Sequence, residues 1–513
     1  MAAAKGAPVG RRAVIGILGE HIGSRTTGAT RLVGPDERRE MRSPTLPEHV
    51  MTIDGAVVVG EGSFPVIDPA RGEAFGDAPE CSADQLEEAM ASAARAGGPW
   101  SGDESHRRAI LAKAADALEA AVDEIAPLLT AEQGKPLAGA RGEIASSARW
   151  FRYFADLDVD REIIRDDDSA VVEIVRRPLG VVAAITPWNF PLSMAAWKIA
   201  PALRAGNTVV LKPSPFTPLS SLAMGQVLAS VLPPGVLNVV SGGDEFGGRM
   251  TGHPAVRKIS FTGSVATGKK VAAAAAPDLK RLTLELGGND PAIVLDDADV
   301  DRVADRLFAS AFANCGQVCI AVKRVYAPER LYGALVDALG ERARATRVGD
   351  GREEGTQLGP INNRPQLERV LGLLGDATDH GARVVAGGHR LDRPGYFVEP
   401  TIVADVEDGV RLVDEEQFGP VLPVVAYRDL DEVTARANDT HFGLGGSVWS
   451  SDADRAEQVA RRLECGTVWV NTHGALAPEQ PFGGLKWSGV GVEHGLPGLF
   501  SYTEIQVVHR QKA

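Results

Sequence analysis

The sequence predicts an α/β fold with parallel sheets laid out in two consecutive blocks. Three observations carry this. From residue 181 onward, short apolar strands alternate with helical patterns, the signature of a parallel sheet with crossover helices. After residue 286 a second stretch repeats that alternation. The chain has 513 residues, of which 44% are hydrophobic and 24% charged, an ordinary globular composition. At roughly 100–200 residues per domain it accommodates about three domains.

In chain order, residues 1–50 show no sustained apolar periodicity and carry eight Lys or Arg. Glu20, Asp36, Glu37, Glu40 and Glu48 count against a transit peptide. The stretch is expected to be a disordered tail, or a misassigned start with Met51 as the first residue. Residues 83–95 and 104–131 read as helices. In the second, Ile110, Leu111, Ala114, Leu118, Ala121, Ile125 and Leu128 recur at helical spacing. The first block places strands at Val181–Ile185, Thr208–Lys212, Val236–Val240 and Lys258–Phe261, with helices over 192–204, 218–231 and 244–251. The second places strands at Ala292–Leu295, Arg383–Ala386, Val421–Ala426, Gly445–Trp449 and Thr467–Asn471. Its helices lie near 298–314, 329–345, 364–377, 430–438 and 452–463. Two such blocks leave a cleft between them, where ligands often sit.

Composition excludes several classes. A formal charge of −14 argues against a nucleic-acid surface, which needs a basic stripe. Cys81, Cys315, Cys319 and Cys465 are too few for a secreted disulfide framework and point to a reducing cytoplasm. No apolar run reaches the ~18 residues of a membrane span, and no residue pattern asks for a metal.

Four segments carry chemistry. In 312–319, Cys315 and Cys319 flank Gly316 and Gln317, so the stretch reads as a turn or helix opening. A helix N-terminus would favour a thiolate; buried small apolar residues are the alternative. Glu285 stands between Leu284 and Leu286, just before a Gly pair. It reads either as a paired carboxylate or as a general base with its pKa raised by burial. Asn189 is a turn residue or a donor to an oxyanion. In 259–268 a strand, a Gly-Ser turn and a helix start present free N–H groups to a phosphate.

Together these segments resemble the NAD(P)-dependent aldehyde dehydrogenase superfamily from about Met51 to the end. The matching pieces are TPWNFP at 186–191, LKPS at 211–214, FTGS at 261–264, LELGG at 284–288, GQVC at 316–319, EEQFGP at 415–420 and PFGG at 481–484. The resemblance implies two Rossmann-like parallel-sheet domains, one for the cofactor and one catalytic, plus a small β oligomerisation element. It sets the NAD(P)-binding domain at 51–154 and 178–285, the catalytic domain at 286–480, and the oligomerisation element at 155–177 and 485–513.

The resemblance also assigns roles. Cys319 matches the nucleophile, Asn189 the oxyanion donor (with the Cys319 N–H), and Glu285 the base for the deacylating water. Lys212 matches the residue on the adenosine ribose. Gly263, Ser264 and Gly268 match the turn at the pyrophosphate. Trp188 lies at the cofactor, Glu416 matches the carboxylate on the nicotinamide ribose, and Phe418 flanks the nicotinamide. Phe151, Met194, Trp197, Leu476 and Phe482, with His473 as a polar neighbour, are the expected substrate pocket.

Three departures qualify the match. Pro215 replaces a Glu that would repel a 2′-phosphate, so both NAD and NADP are expected. Asn289 follows the Gly pair where a Lys is frequent. Cys315 is read as space-filling in preference to a reversible disulfide with Cys319. No basic residue lies in 307–314, which favours an apolar aliphatic or aromatic aldehyde. A semialdehyde bearing a carboxylate, held by Arg152, is the alternative. Acyl transfer to coenzyme A is disfavoured by Glu285, and a non-catalytic cofactor-binding protein by the intact Cys319, Glu285 and Asn189. A homodimer or homotetramer is implied, with neither nucleic acid nor membrane as partner.

Overall fold

A computed structural model describes residues 49–512; apart from its last two residues, the segment expected to be a tail lies outside them. The first block folds as an eight-stranded sheet. Its order is Gly489–Val490, Arg281–Glu285, Val256–Thr262, Val181–Ile185, Thr208–Lys212, Leu237–Val239, Met51–Ile53, Ala56–Val58. The five strands from Arg281–Glu285 to Leu237–Val239 are mutually parallel. Every residue of Thr208–Lys212 is buried, as expected of a parallel strand covered by helices on both faces.

The second block forms a seven-stranded sheet. Its order is Arg383–Ala386, Thr401–Ala404, Val421–Tyr427, Val322–Pro328, Asp290–Val294, Gly445–Trp449, Thr467–Val470. It is parallel except at the Arg383–Ala386 edge, which pairs antiparallel with Thr401–Ala404. A third sheet, all antiparallel, joins Thr503–Gln511, Ala170–Pro178 and Glu162–Asp166. Among the described residues no helix is long and apolar enough to cross a membrane.

Several sequence expectations are corrected. The pattern over 104–131 is two helices, Glu104–Ala120 and Val122–Gln133, broken where Ala121 takes a non-helical ψ of 3°. The first helix runs on to Ser101, past Pro99. Helix Leu137–Asp156 was absent from the reading, and it overlaps the first residues assigned to the oligomerisation element. The helix expected to reach 314 stops at Phe312, because Asn314 and Cys315 adopt left-handed backbone (φ 48° and 60°). Strands Val322–Pro328 and Thr401–Ala404 were not anticipated. In the former, Lys323 and Arg324 interrupt the apolar run, yet they are only 1% and 2% exposed.

The chain passes from the first sheet to the second through residues 286–289. Gly287 lies so close to the Glu416 carboxylate that any side chain would collide with it, and a Cβ on Gly288 would stand 2.7 Å from the Cys319 carbonyl oxygen. The crossover therefore threads between two of the predicted site residues. Glu285 ends a strand of the first sheet, and Asn189 follows another. Cys319 and Glu416 both precede strands of the second. The carboxyl ends of one sheet thus face the amino ends of the other.

Candidate active site

Cys319 sits in a turn that feeds strand Val322–Pro328, with no helix starting there. Of the two readings of 312–319, a turn or a helix opening, the structure has the turn. After Phe312 three consecutive residues (Asn314, Cys315 and Gly316) have φ between 48° and 71°, which turns the chain sharply instead of opening a helix. Gly316 fits because a Cβ there would collide with the Gly419 carbonyl. Cys319 is half-buried and free, and Cys315 is free and buried. Burial pushes the Cys319 thiol up to about 12; Lys323 pulls it down, while Glu416, Asp290 and Glu285 push it further up.

Asn189 is held from three sides. Its Nδ2 donates to the Gln317 carbonyl at 2.9 Å. Its own carbonyl accepts from Lys135 Nζ at 2.9 Å and Asn314 Nδ2 at 3.0 Å. Gln317 Nε2 donates to the Asn314 carbonyl (2.9 Å), and its Oε1 accepts from the Asn362 N–H (2.8 Å). Lys135 is a buried ammonium paired with Glu143 at 2.5 Å. Glu143 Oε1 in turn accepts from the N–H groups of Leu192 and Ser193, the opening of helix Pro191–Arg204. The amide is thereby fixed beside the Cys319 turn with one of its two N–H bonds engaged, and the second stays available.

Glu285 is 3% exposed, and neither carboxylate oxygen has a protein partner. Burial raises its pKa well above the carboxylate range. Glu493 adds repulsion, and Lys198 opposes both. Lys198 and Glu493 form a fully buried pair at 2.7 Å, and Ser260 Oγ donates to Glu493 at 3.3 Å.

The cofactor side assembles as follows. The Lys212 ammonium is buried and contacts only the Pro213 carbonyl, at 3.3 Å. Burial brings its pKa down to about 8, with Asp244 working against this. Ser264 caps helix Val265–Ala275, its Oγ accepting from the Thr267 N–H at 3.2 Å. A Cβ at Gly268 would meet Leu286 at 2.6 Å, and one at Gly263 would meet the Phe261 ring at 2.5 Å. Glu416 Oε1 accepts from the Gly288 N–H at 3.0 Å and lies 3.5 Å from Lys323 Nζ. Trp188 meets Phe418 edge-on, ring centroids 5.3 Å apart.

Of the expected pocket residues, Trp197 and Phe482 are neighbours (centroids 5.9 Å apart). Met194, Leu476 and His473 are buried. His473 bonds Ser447 Oγ (2.9 Å) and the Ile320 carbonyl (2.6 Å), and burial drives its pKa down to about 3. Phe151 has no exposed surface and sits within the core of the first block. Arg152 is spent on Glu119 and Asp116, at 2.5 and 2.6 Å. Sequence reasoning passed over Lys135, Glu143, Lys198, Lys323 and Glu493. Their charged letters gave no sign of burial, and only Gln317 and Asn314 lay inside a segment already singled out.

Comparison with known proteins adds an independent finding. Residues 58–508 match the model of the aldehyde dehydrogenase family. The NAD+ complex of an aldehyde dehydrogenase from Bacillus cereus superposes with a TM-score of 0.88 at 36% identity, covering 90% of this chain and 96% of that one. Lactaldehyde dehydrogenase from Escherichia coli gives 0.88 at 36% identity, covering 91% and 99%. An NADP-dependent enzyme from E. coli gives 0.87 at 37% identity, covering 91% and 98%.

Proposed function

The chain belongs to the aldehyde dehydrogenase family, and on that premise we propose that it oxidises an apolar aliphatic or aromatic aldehyde to its acid, with Cys319 as nucleophile and Glu285 as base. It is an NAD(P)-dependent oxidoreductase. The observation that carries the reading is Glu285, a buried carboxyl with no protein partner whose charge is felt at Cys319. Leaving a carboxyl buried without a partner is costly, and its place beside Cys319 gives that cost a use.

The residues present fit a dinucleotide. Lys212 offers a buried ammonium with spare donors, and the 263–268 turn opens a helix whose Val265 and Ala266 N–H groups have no partner within the helix. Glu416 offers a second carboxylate oxygen. When bound, the nicotinamide supplies the hydride acceptor. The Cys319 sulfur bonds to the aldehyde carbon, and the carbonyl electron pair becomes an oxyanion that accepts from the Asn189 amide. Loss of hydride leaves a thioester. Glu285 removes a proton from water, the water oxygen adds to the thioester carbonyl, and the carbon–sulfur bond breaks to release the acid and the Cys319 thiolate.

Arg152 supports the apolar substrate over a carboxylate-bearing one, since two acidic neighbours already hold its guanidinium. Pro215 supports use of either NAD or NADP. A homo-oligomer in the cytoplasm completes the reading. The test follows absorbance at 340 nm with each cofactor and a panel of aliphatic, aromatic and carboxylate-bearing aldehydes. Signal with acid formation, lost in Cys319→Ala, is expected. Wild-type turnover by Cys319→Ala would sink the assignment.

A further inference from the structure

Lys323 lies near the start of a buried strand and is 1% exposed; its carboxylate partner, Glu416, stands at the long distance of 3.5 Å, and its charge also acts on the buried Asp290. Its Nζ donates to the carbonyls of Val318 (2.8 Å), Cys319 (3.0 Å) and Gly288 (3.4 Å), with Glu416 Oε1 at 3.5 Å. The ammonium therefore sits under the turn that carries the nucleophile and pins three of its surrounding carbonyls. An ion buried among neutral carbonyls is expensive unless its charge serves something nearby.

We propose that Lys323 is a positioning residue whose ammonium supplies the positive charge that stabilises the Cys319 thiolate. The inference rests on Cys319 being the nucleophile. Lys323 stands in for a helix terminus, one of the two readings of this segment, which the structure does not provide. The charges acting on Cys319 come from each element packed around it. Glu285 contributes from the end of its strand, Asp290 from the start of the next, and Glu416 from the loop before Val421–Tyr427; all three are acids that oppose ionisation. Lys323 acts the other way. The neighbouring Arg324 is turned elsewhere, onto the carbonyls of Asn289 and Ala437 and the Tyr326 hydroxyl. His473, against Ile320, is kept neutral by burial. Three acids near a thiol would leave it inert, so a cation beneath the turn is what the chemistry lacks without Lys323.

The experiment alkylates the full-length protein with iodoacetamide across a range of pH and follows modification of Cys319 by peptide mass. Wild type, Lys323→Met and Lys323→Arg are compared. An opposite charge a few ångströms away shifts a pKa by about 1–3 units, so Lys323→Met is expected to alkylate at least about tenfold more slowly near neutral pH, with its inflection moved upward. Lys323→Arg, which keeps the charge, is expected to restore most of the rate. An unchanged profile in Lys323→Met, or Lys323→Arg as slow as Lys323→Met, overturns the proposal. If Lys323→Met does not fold, Lys323→Gln gives the same reading, since it keeps donors and drops the charge. Turnover by Cys319→Ala would instead overturn the nucleophile assignment, and the alkylation comparison would still report on Lys323 separately.

Discussion

As the proposed base, Glu285 has to be ionised to take a proton from water, yet burial first and Glu493 second hold its pKa above the ordinary carboxylate range, against the pull of Lys198. The sign follows directly. A carboxyl with a raised pKa ionises only above that value, so the rate of a deacylation-limited turnover rises as pH climbs through it and falls on acidification. A kcat–pH profile is expected to show this limb in wild type and to lose it in Glu285→Gln, which should retain a burst of reduced cofactor. Glu493→Gln removes a repelling charge and leaves Lys198 to act on Glu285 alone, so the limb is expected to move to lower pH. A limb displaced upward would contradict the electrostatic account. Cys319, Glu285 and Asn189 were legible in the sequence because each sits in a local pattern of glycines and apolar residues. Lys198, Glu493 and Lys323 were not, because a charged letter reads as surface until the tertiary fold supplies its partners.

At the level of elements, helix Pro191–Arg204 starts without a side-chain cap of its own. Glu143, projecting from helix Leu137–Asp156, caps it from outside and neutralises Lys135 as well. Glu143→Ala would leave a buried lysine unpaired and two N–H groups free. Breaking a buried pair costs roughly 3–5 kcal/mol, so chemical denaturation is expected to show a loss of that order. Because Lys135 also holds the Asn189 carbonyl, kcat/KM should fall too. In an Asn189→Ala background, Lys135→Met should add little to the loss of activity; a full additive loss would separate Lys135 from the oxyanion donor. Strand Val181–Ile185 was readable to the residue, being an unbroken apolar run. Val322–Pro328 was hidden by its two buried cations, and helix Leu137–Asp156 by a stretch rich in small and charged residues.

For the whole molecule, the two-block alternation announced both large sheets, whereas the antiparallel edges came only from the structure, since pairing direction leaves no trace in composition. Strand Thr503–Gln511 lies at the edge of the three-stranded sheet, with Ile505, Val507 and Val508 61%, 57% and 43% exposed. Ile163 and Ile164 of the same sheet are exposed as well. A long apolar edge is a template for another chain, which fits the proposed homo-oligomer. Val507→Asp together with Ile505→Asp is expected to lower the sedimentation coefficient to that of a smaller species. A wild type that already sediments as a monomer would contradict the assembly.

The crossover at residues 286–289 divides the reacting groups. Glu285 and Asn189, the proposed base and oxyanion donor, lie on one side of it, and Cys319 and Glu416, the proposed nucleophile and ribose carboxylate, on the other. A gene recombined at that point would hand its offspring a sulfur tuned by one ancestor and a proton acceptor tuned by another. The two halves therefore have to be matched to one another, and the buried, crowded residues 286–289 leave little freedom at the join.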